Sequence, residues 1–81
     1  MKCYIYRSRR RSDTYLFLPS SDDFSAVPEA LMEVFGTPEL ALEIELTPER
    51  KLAQADARQV IDSLREKGFY LQMPPANRIS A

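Results

Sequence analysis

Residues 40–46 read LALEIEL, an almost unbroken alternation of apolar and polar positions from which the rest of the fold can be read. Because successive side chains of a β-strand point to opposite faces of a sheet, this period of two predicts a strand with one buried face. That face carries the large apolar residues Leu40, Leu42, Ile44 and Leu46. Glu43 and Glu45 lie on the other face, and we interpret them as solvated surface charges rather than as a carboxylate pair for acid–base catalysis.

The segment before this strand predicts a helix over residues 27–35. Pro28 and Glu29 suit a first helical turn, where backbone donors are unpaired and negative charge is favoured. Gly36 suits the position just after a helix, which often has a positive φ. We interpret the two aspartates at residues 22–23 as helix-capping carboxylates rather than as metal ligands, since no spaced ligand set accompanies them.

The segment after the strand predicts a longer helix that begins near Asp56 and is stopped by Gly68. Asp56 and Gln59 have the spacing of a capping box. The apolar positions recur at helical intervals and form one buried stripe, Ala57, Val60, Ile61 and Leu64. After Gly68 the chain leaves the helix, and we expect Phe69 to pack on Leu64.

Three further strands complete the predicted sheet. Residues 2–7 and 14–18 are rich in aromatic and branched side chains and flank a polar stretch, which predicts a hairpin. Residues 69–73 alternate as a last strand until the prolines at residues 74–75 remove its backbone donors. A proline turn allows a very short additional strand at residues 51–53.

The predicted fold is an α+β domain with the element order β-β-α-β-α-β, a mainly antiparallel sheet with both helices packed on one face in a two-layer sandwich. With 81 residues and 9.3 kDa, the chain has room for one domain. We assign this domain to residues 1–75 and expect residues 76–81 to form a frayed tail.

Strand alternation sorts the sheet residues onto two predicted faces. One set is expected to face the helices, namely Cys3, Ile5, Leu16, Leu18, Leu42, Ile44, Leu71 and Met73. The opposite face then carries Phe17, Glu43, Glu45 and all four tyrosines, Tyr4, Tyr6, Tyr15 and Tyr70. Such an aromatic patch predicts a surface for a protein partner or for self-association, with partial cover by the proline tail as an alternative. RNA stacking on the tyrosines is the weaker alternative, because the glutamates would repel phosphates.

The net charge of −1 hides an uneven distribution. The predicted hairpin holds four arginines within five positions, Arg7, Arg9, Arg10 and Arg11, whereas residues 13–49 contain nine acidic residues and no Lys or Arg. These guanidinium groups could bind phosphates or carboxylates of a partner, or could form a solvated loop that the acidic segment neutralises. The near-neutral total charge argues against a general nucleic-acid coat protein.

The sequence lacks the residues that several common kinds of catalysis require. There is no histidine and only one cysteine, which excludes an intramolecular disulfide and a Cys–His nucleophile within the chain. We interpret Cys3 as a small buried hydrophobe, and we expect no cofactor and no metal. The sequence shows neither a signal peptide nor a long apolar stretch, so we expect a cytoplasmic protein with no membrane contact.

Several blocks of the sequence, in this order, resemble the YcgL family of small bacterial proteins. They are IYRS at 5–8, TYL at 14–16, DDFS at 22–25, VPE at 27–29, LM at 31–32, FG at 35–36, KLA at 51–53, AD at 55–56 and GFYLQMPP at 68–75. The resemblance implies a small α/β domain in a bacterial cytoplasm, and it brings no assigned activity and no catalytic residues. The three consecutive arginines at residues 9–11 and the short tail depart from the family pattern.

Two classes of function remain for such a chain. The first is a non-catalytic binding or adaptor module for a protein or RNA partner, which the basic hairpin and the aromatic face favour. The second is an enzyme subunit whose active site is completed by another chain, because this chain lacks the usual catalytic side chains. We favour the binding module.

Overall fold

A computed structural model of the protein describes residues 1–52 and 56–73. Its elements are β1 (Lys2–Ser8), β2 (Tyr15–Leu18), α1 (Glu29–Phe35), β3 (Pro38–Glu45), α2 (Ala57–Glu66) and β4 (Tyr70–Gln72). The predicted α+β class and the order β-β-α-β-α-β are confirmed. Lys51 and Leu52 belong to no strand, and Ala53 lies outside the described residues, as do residues 74–81 with the predicted tail.

The four strands form one antiparallel sheet in the order β3-β1-β2-β4. The hairpin strands β1 and β2 occupy its centre, and β3 and β4 are its edges. The central strands are therefore the most buried, while β3, which carries the clearest strand pattern in the sequence, is largely exposed.

The two helices pack on opposite faces of this sheet, so the prediction that both cover one face is wrong. Cys3, Ile5 and Phe17 pack with the apolar stripe of α2, and we name this group the α2-face core. Tyr6, Leu16 and Leu18 pack with Phe35 and other residues of α1, and we name this group the α1-face core. The arrangement is a sheet between two single helices, each covering its own apolar face.

The pairing of β1 with β2 explains the wrong prediction. Ile5 lies opposite Phe17 and Tyr6 lies opposite Leu16, and directly opposed residues share a face. The predicted grouping of Ile5 with Leu16 is therefore off by one position on β2. A shift of one residue moves every side chain of a strand to the other face, and alternation within each strand does not fix this shift.

A bulge in β3 places a second set of side chains on a face other than the predicted one. Leu42 lies opposite Ile5 but Leu40 lies opposite Tyr6, which leaves Ala41 as an extra residue between them. The predicted common face of Leu40 and Leu42 is therefore wrong. Both side chains are also more than half exposed, at 51% and 57%, because they lie on an edge strand rather than in the core.

The second helix follows its predicted signals closely. Asp56 caps it by accepting a hydrogen bond from the backbone N–H of Arg58 at 3.1 Å. All four residues of the predicted stripe are buried, and Gly68 follows the helix with a φ of +88°. Phe69 differs from its prediction, since it packs against the α1-face core rather than joining Leu64 in the α2-face core.

Candidate functional site

The loop that joins β1 to β2 is anchored at its base by one hydroxyl. Ser8 Oγ accepts hydrogen bonds from the backbone N–H groups of Arg10 at 3.2 Å and Arg11 at 2.9 Å. The same hydroxyl donates to the carbonyl oxygen of Phe35, the last residue of α1, at 2.7 Å. Ser8 is itself buried, so this single side chain fixes the arginine-bearing loop to the end of the helix.

Arg7, on β1 rather than in the loop, is held by a carboxylate of its own chain. Its Nε donates to Glu39 Oε1 at 2.7 Å, and its Nη2 lies 2.7 Å from the same oxygen. The Arg7 guanidinium lowers the pKa of the Glu39 carboxyl through this hydrogen bond and its charge. The charge of Arg7 is therefore partly neutralised by Glu39 at the surface of the sheet.

Arg10 reaches across to α1 and stabilises the end of that helix. Its Nη1 donates to the carbonyl oxygen of Glu33 at 2.7 Å, one of the last-turn acceptors that a helix leaves unpaired. Its side chain also lies over Gly36, where an added Cβ would be 3.3 Å from Arg10 Nε. A cation at a helix C-terminus is favoured by the helix dipole, so Arg10 has a structural role.

Within the hairpin, Arg9 and Arg11 are the exposed arginines whose guanidinium groups make no hydrogen bond or ion pair with the residues that the structure describes. They line separate depressions. Arg9 lines one of about 450 Å³ that includes Asp13 and Glu39. Arg11 lines a more apolar one of about 270 Å³ beside Leu31. The structure thus separates the four predicted arginines into two that are engaged and two that are available.

The four tyrosines do not share a face, so the predicted open aromatic surface is wrong. Tyr4 and Tyr6 belong to the α1-face core, and Tyr6 is only 2% exposed. Tyr15 and Tyr70 pack against the α2-face core, with the Tyr70 ring edge-on to Phe17 at 5.6 Å. The two pairs lie on opposite faces of the sheet, and Tyr4, Tyr15 and Tyr70 are half-buried there.

The tyrosine at the centre of the α1-face core is bound to an aspartate that sequence analysis assigned to helix capping. Tyr6 Oη donates to Asp22 Oδ1 at 3.0 Å and accepts from the backbone N–H of Asp22 at 2.7 Å. Asp22 has a φ of +58°, a conformation that Asp tolerates better than most residues. The helix α1 begins with Pro28 as its N-cap and without a side-chain cap, so the capping prediction for residues 22–23 is wrong.

The remaining carboxylates near these elements have local partners. Asp23 Oδ1 accepts from the backbone N–H and the hydroxyl of Ser25, which lower the pKa of Asp23. On β3, Glu43 lies 3.3 Å from Lys2 Nζ and Glu45 lies 2.7 Å from the Met1 amino group. Residues 1–52 and 56–73 contain no group of three or more metal-ligating side chains.

Cys3 has the environment of a structural residue. Its side chain is fully buried in the α2-face core, and burial raises the pKa of its thiol to about 11. A thiol that ionises only at such a high pH is a poor nucleophile near neutral pH. None of the helices in the described ranges is long and apolar enough to cross a membrane.

Most of the chain is similar to bacterial proteins. The YcgL domain family matches residues 3–75. A YcgL domain-containing protein of Thioalkalivibrio sulfidiphilus is 60% identical over 77 residues, which are 95% of each chain. One of Serratia proteamaculans is 53% identical over 93% of this chain and 83% of its own length, and protein YcgL of Salmonella arizonae is 52% identical over 93% and 68%. The resemblance noted from the sequence blocks is confirmed, and the chain belongs to the YcgL family.

Proposed function

We propose that this YcgL protein is a non-catalytic binding module, and that Arg9 and Arg11 hold an acidic segment of a protein partner. The observation that carries the proposal is a loop fixed at its base by Ser8 that presents two exposed arginines without partners among the described residues. Because the loop backbone is anchored, less conformational entropy is lost from the loop when the two guanidinium groups bind carboxylates in fork geometry.

The charges around the loop favour carboxylates over a nucleic-acid backbone. Binding along a nucleic acid gains its affinity from several phosphate contacts, which need a continuous basic surface. Here the arginines are interleaved with Asp13, Glu33 and Glu39, which line the same depressions. Tyr6 is buried and the other tyrosines are divided between the two faces of the sheet, so the four rings form no common platform on which bases could stack.

The chemistry of the core supports binding rather than catalysis. The one thiol of the chain is buried and has a pKa of about 11, and the sequence has no histidine. The carboxylates of β3 are engaged with cations of β1 and the chain start. These groups therefore supply no activated nucleophile, and the β3 carboxylates are held in ion pairs on the strand surface.

The test is affinity capture from a nuclease-treated bacterial lysate with the wild-type chain and with the double variant Arg9→Ala/Arg11→Ala. Arg10 is left in place because it stabilises α1. We expect a protein that the wild type recovers and the double variant does not. Its recovery should fall when salt is raised from about 0.1 M to about 0.5 M, because added salt screens exposed charges.

A matched control removes the same number of positive charges from outside the hairpin. Arg50 and Lys67 are both exposed and lie on other parts of the chain, so Arg50→Ala/Lys67→Ala should recover the same partner as the wild type. Equal recovery by all three proteins would contradict the proposal. A different outcome would assign the loop to nucleic acid instead. In that case the wild type recovers RNA from untreated lysate, the hairpin double variant does not, and both recover the same proteins.

A further inference from the structure

The apolar depression beside Arg11 is a groove between α1 and the β4 segment, and we name it the α1–β4 groove. Its walls are Leu31 and Val34 of α1, Leu71 of β4, and Met73 just after β4. Val34 and Met73 are 46% and 43% exposed, and Leu31 and Leu71 are half-buried. All four side chains therefore offer apolar surface that a bound group could remove from water.

The groove has one charged residue among the lining side chains that the structure describes, Arg11. The Arg11 guanidinium has no hydrogen bond or ion pair with those described residues. Arg10 and Glu33 line a neighbouring depression instead, where Arg10 bonds to the backbone carbonyl of Glu33. The α1–β4 groove thus combines apolar walls with one available positive charge.

A single hydroxyl holds the backbone of Arg11 against the groove. Ser8 Oγ accepts a hydrogen bond from the N–H of Arg11 at 2.9 Å and donates one to the carbonyl oxygen of Phe35 at 2.7 Å. Phe35 lines the groove and is only 1% exposed, so its ring belongs to the groove floor. Because these parts are already joined in the free protein, a ligand that contacts both has less conformational entropy to remove.

We propose that the α1–β4 groove takes an apolar side chain of the acidic segment, adjacent to the carboxylate that Arg11 holds. The inference rests on the proposed function and specifies the partner's motif, an acidic residue beside a large apolar one. The groove has a volume of about 270 Å³, which is below the usual size of a small-molecule site, about 300–1,000 Å³. An apolar side chain inserted into a pocket is a common anchor of a protein or peptide partner.

Charge favours an acidic partner over the C-terminal segment of this chain as the occupant. Residues 74–81, which follow Met73, read PPANRISA and lie outside the described residues. Arg78 is their one charged side chain, and it has the same sign as Arg11. An acidic segment brings the opposite charge, and a carboxylate held by Arg11 places the neighbouring side chain beside the apolar walls.

The experiment follows backbone amide signals of the full chain by NMR during titration with acetylated and amidated peptides. The peptide GDDLLDDG has carboxylates on both sides of its leucines, so either chain direction places an acid beside an apolar side chain. We expect saturable shifts at residues 11, 31–35 and 70–73, with a Kd of about 1 mM or tighter. GDDSSDDG keeps only the charge and GNNLLNNG keeps only the apolar pair, so each should bind at least about fivefold more weakly.

Variants of the protein identify the groups responsible. Arg11→Ala should weaken GDDLLDDG binding at least about fivefold, and so should Val34→Ser/Met73→Ser, with the amide spectrum still that of the folded protein. Val and Ser have similar helix propensities, so α1 should be retained. Leu40→Ser/Leu42→Ser is the matched control, since it removes two leucines that are 51% and 57% exposed on β3 and do not line the groove. It should leave the Kd unchanged.

The outcomes separate this inference from the proposed function. If Val34→Ser/Met73→Ser binds GDDLLDDG as tightly as the wild type while Arg9→Ala/Arg11→Ala does not bind it, the groove inference is wrong and the arginine loop remains the site. Equal binding of GDDSSDDG, shifts outside the groove, or no binding of GDDLLDDG would also overturn the groove inference alone, because capture from lysate tests the proposed function independently. Unchanged binding by the hairpin double variant would contradict both.

Two further measurements test the other possible occupants of the groove. Ile79→Ser removes the branched apolar side chain of residues 74–81 and should leave the Kd unchanged. Tighter peptide binding by this variant would assign the groove to the chain's own C-terminal segment. Shifts of the groove amides that depend on protein concentration without peptide would assign it to a second copy of the chain. Either result would overturn the proposal.

Discussion

Tyr6 and Asp22 are joined by two hydrogen bonds although sixteen positions separate them in the chain, one from Tyr6 Oη to the carboxylate and one from the Asp22 N–H to Tyr6 Oη. The phenol ring is buried in the α1-face core, edge-on to Phe24 at 4.9 Å. The pair therefore secures the long connection between β2 and α1 to the central strand, and it satisfies a phenol oxygen that would otherwise be costly to bury.

The first prediction concerns the phenol oxygen of Tyr6, which the variant Tyr6→Phe removes. Tyr6→Phe leaves the ring in place but deprives the Asp22 N–H and carboxylate of their partner, so the free energy of unfolding should fall by about 1–3 kcal/mol. Urea unfolding monitored by circular dichroism measures it. Tyr4→Phe is the matched control on the same strand and face, and it should change stability by less than about 0.5 kcal/mol. Equal effects of the two variants would mean that the Tyr6–Asp22 bonds contribute nothing.

The second prediction separates the arginines of the hairpin by role. Arg10→Ala loses the hydrogen bond to the Glu33 carbonyl and the contact over Gly36, and should cost about 0.5–1 kcal/mol of stability. Arg9→Ala, which removes the same charge from the neighbouring position, should cost less than about 0.5 kcal/mol. Thermal or urea unfolding at low salt checks this order. A larger loss for Arg9→Ala would contradict the structural role of Arg10.

The third prediction concerns Gly68, which follows the C-terminal end of α2. Gly68 has a φ of +88°, and an added Cβ would lie 2.6 Å from the Cβ of Ala26. Gly68→Ala therefore combines an unfavourable backbone conformation with a steric clash, and it should destabilise by more than about 1 kcal/mol. Adding Ala26→Gly removes the clash alone, so the double variant should recover part of that loss. No recovery in the double variant would show that the Ala26 contact does not contribute.

Sequence reasoning predicted the elements well because each one carries its own local signal. The alternation of residues 40–46, the stripe of α2 and the cap at Asp56 depend on neighbours within a few positions, and all three correspond to elements at those places. Gly68 is likewise a local requirement of the helix end. Local periodicity is the strongest secondary-structure signal that a single sequence contains.

The arrangement of the elements could not be read the same way, because it depends on pairing between distant residues. The hairpin loop does not fix which residue of β2 faces Ile5, and the bulge at Ala41 has no mark in the alternation of β3. Two single-residue offsets therefore moved Leu16 and Leu40 to the wrong face. The candidate site was affected in turn, since the predicted tyrosine face depended on the pairing of β1 with β2, whereas the arginine loop did not.

The fourth prediction tests the phase of α2. Leu64 is buried in the α2-face core and its neighbour Arg65 is exposed, so the two side chains should respond differently to truncation. Leu64→Ala should destabilise the protein by about 2–5 kcal/mol through lost burial and a residual cavity. Arg65→Ala should change stability by less than about 0.5 kcal/mol. Chemical denaturation of both variants would reveal a wrong helix phase if the order were reversed.

The last prediction uses the buried thiol of Cys3, whose pKa burial raises from its ordinary value of 9.0 to about 11. In the unfolded chain the thiol ionises near pH 9, so between pH 9 and 11 the unfolded state binds fewer protons and folding weakens, by up to about 1.4 kcal/mol per pH unit. Cys3→Ala lacks this contribution, and comparing the two proteins cancels the titration of other groups. The stability difference should stay constant below pH 9 and change in favour of Cys3→Ala above it. A difference that remains constant up to pH 11 would contradict the raised pKa.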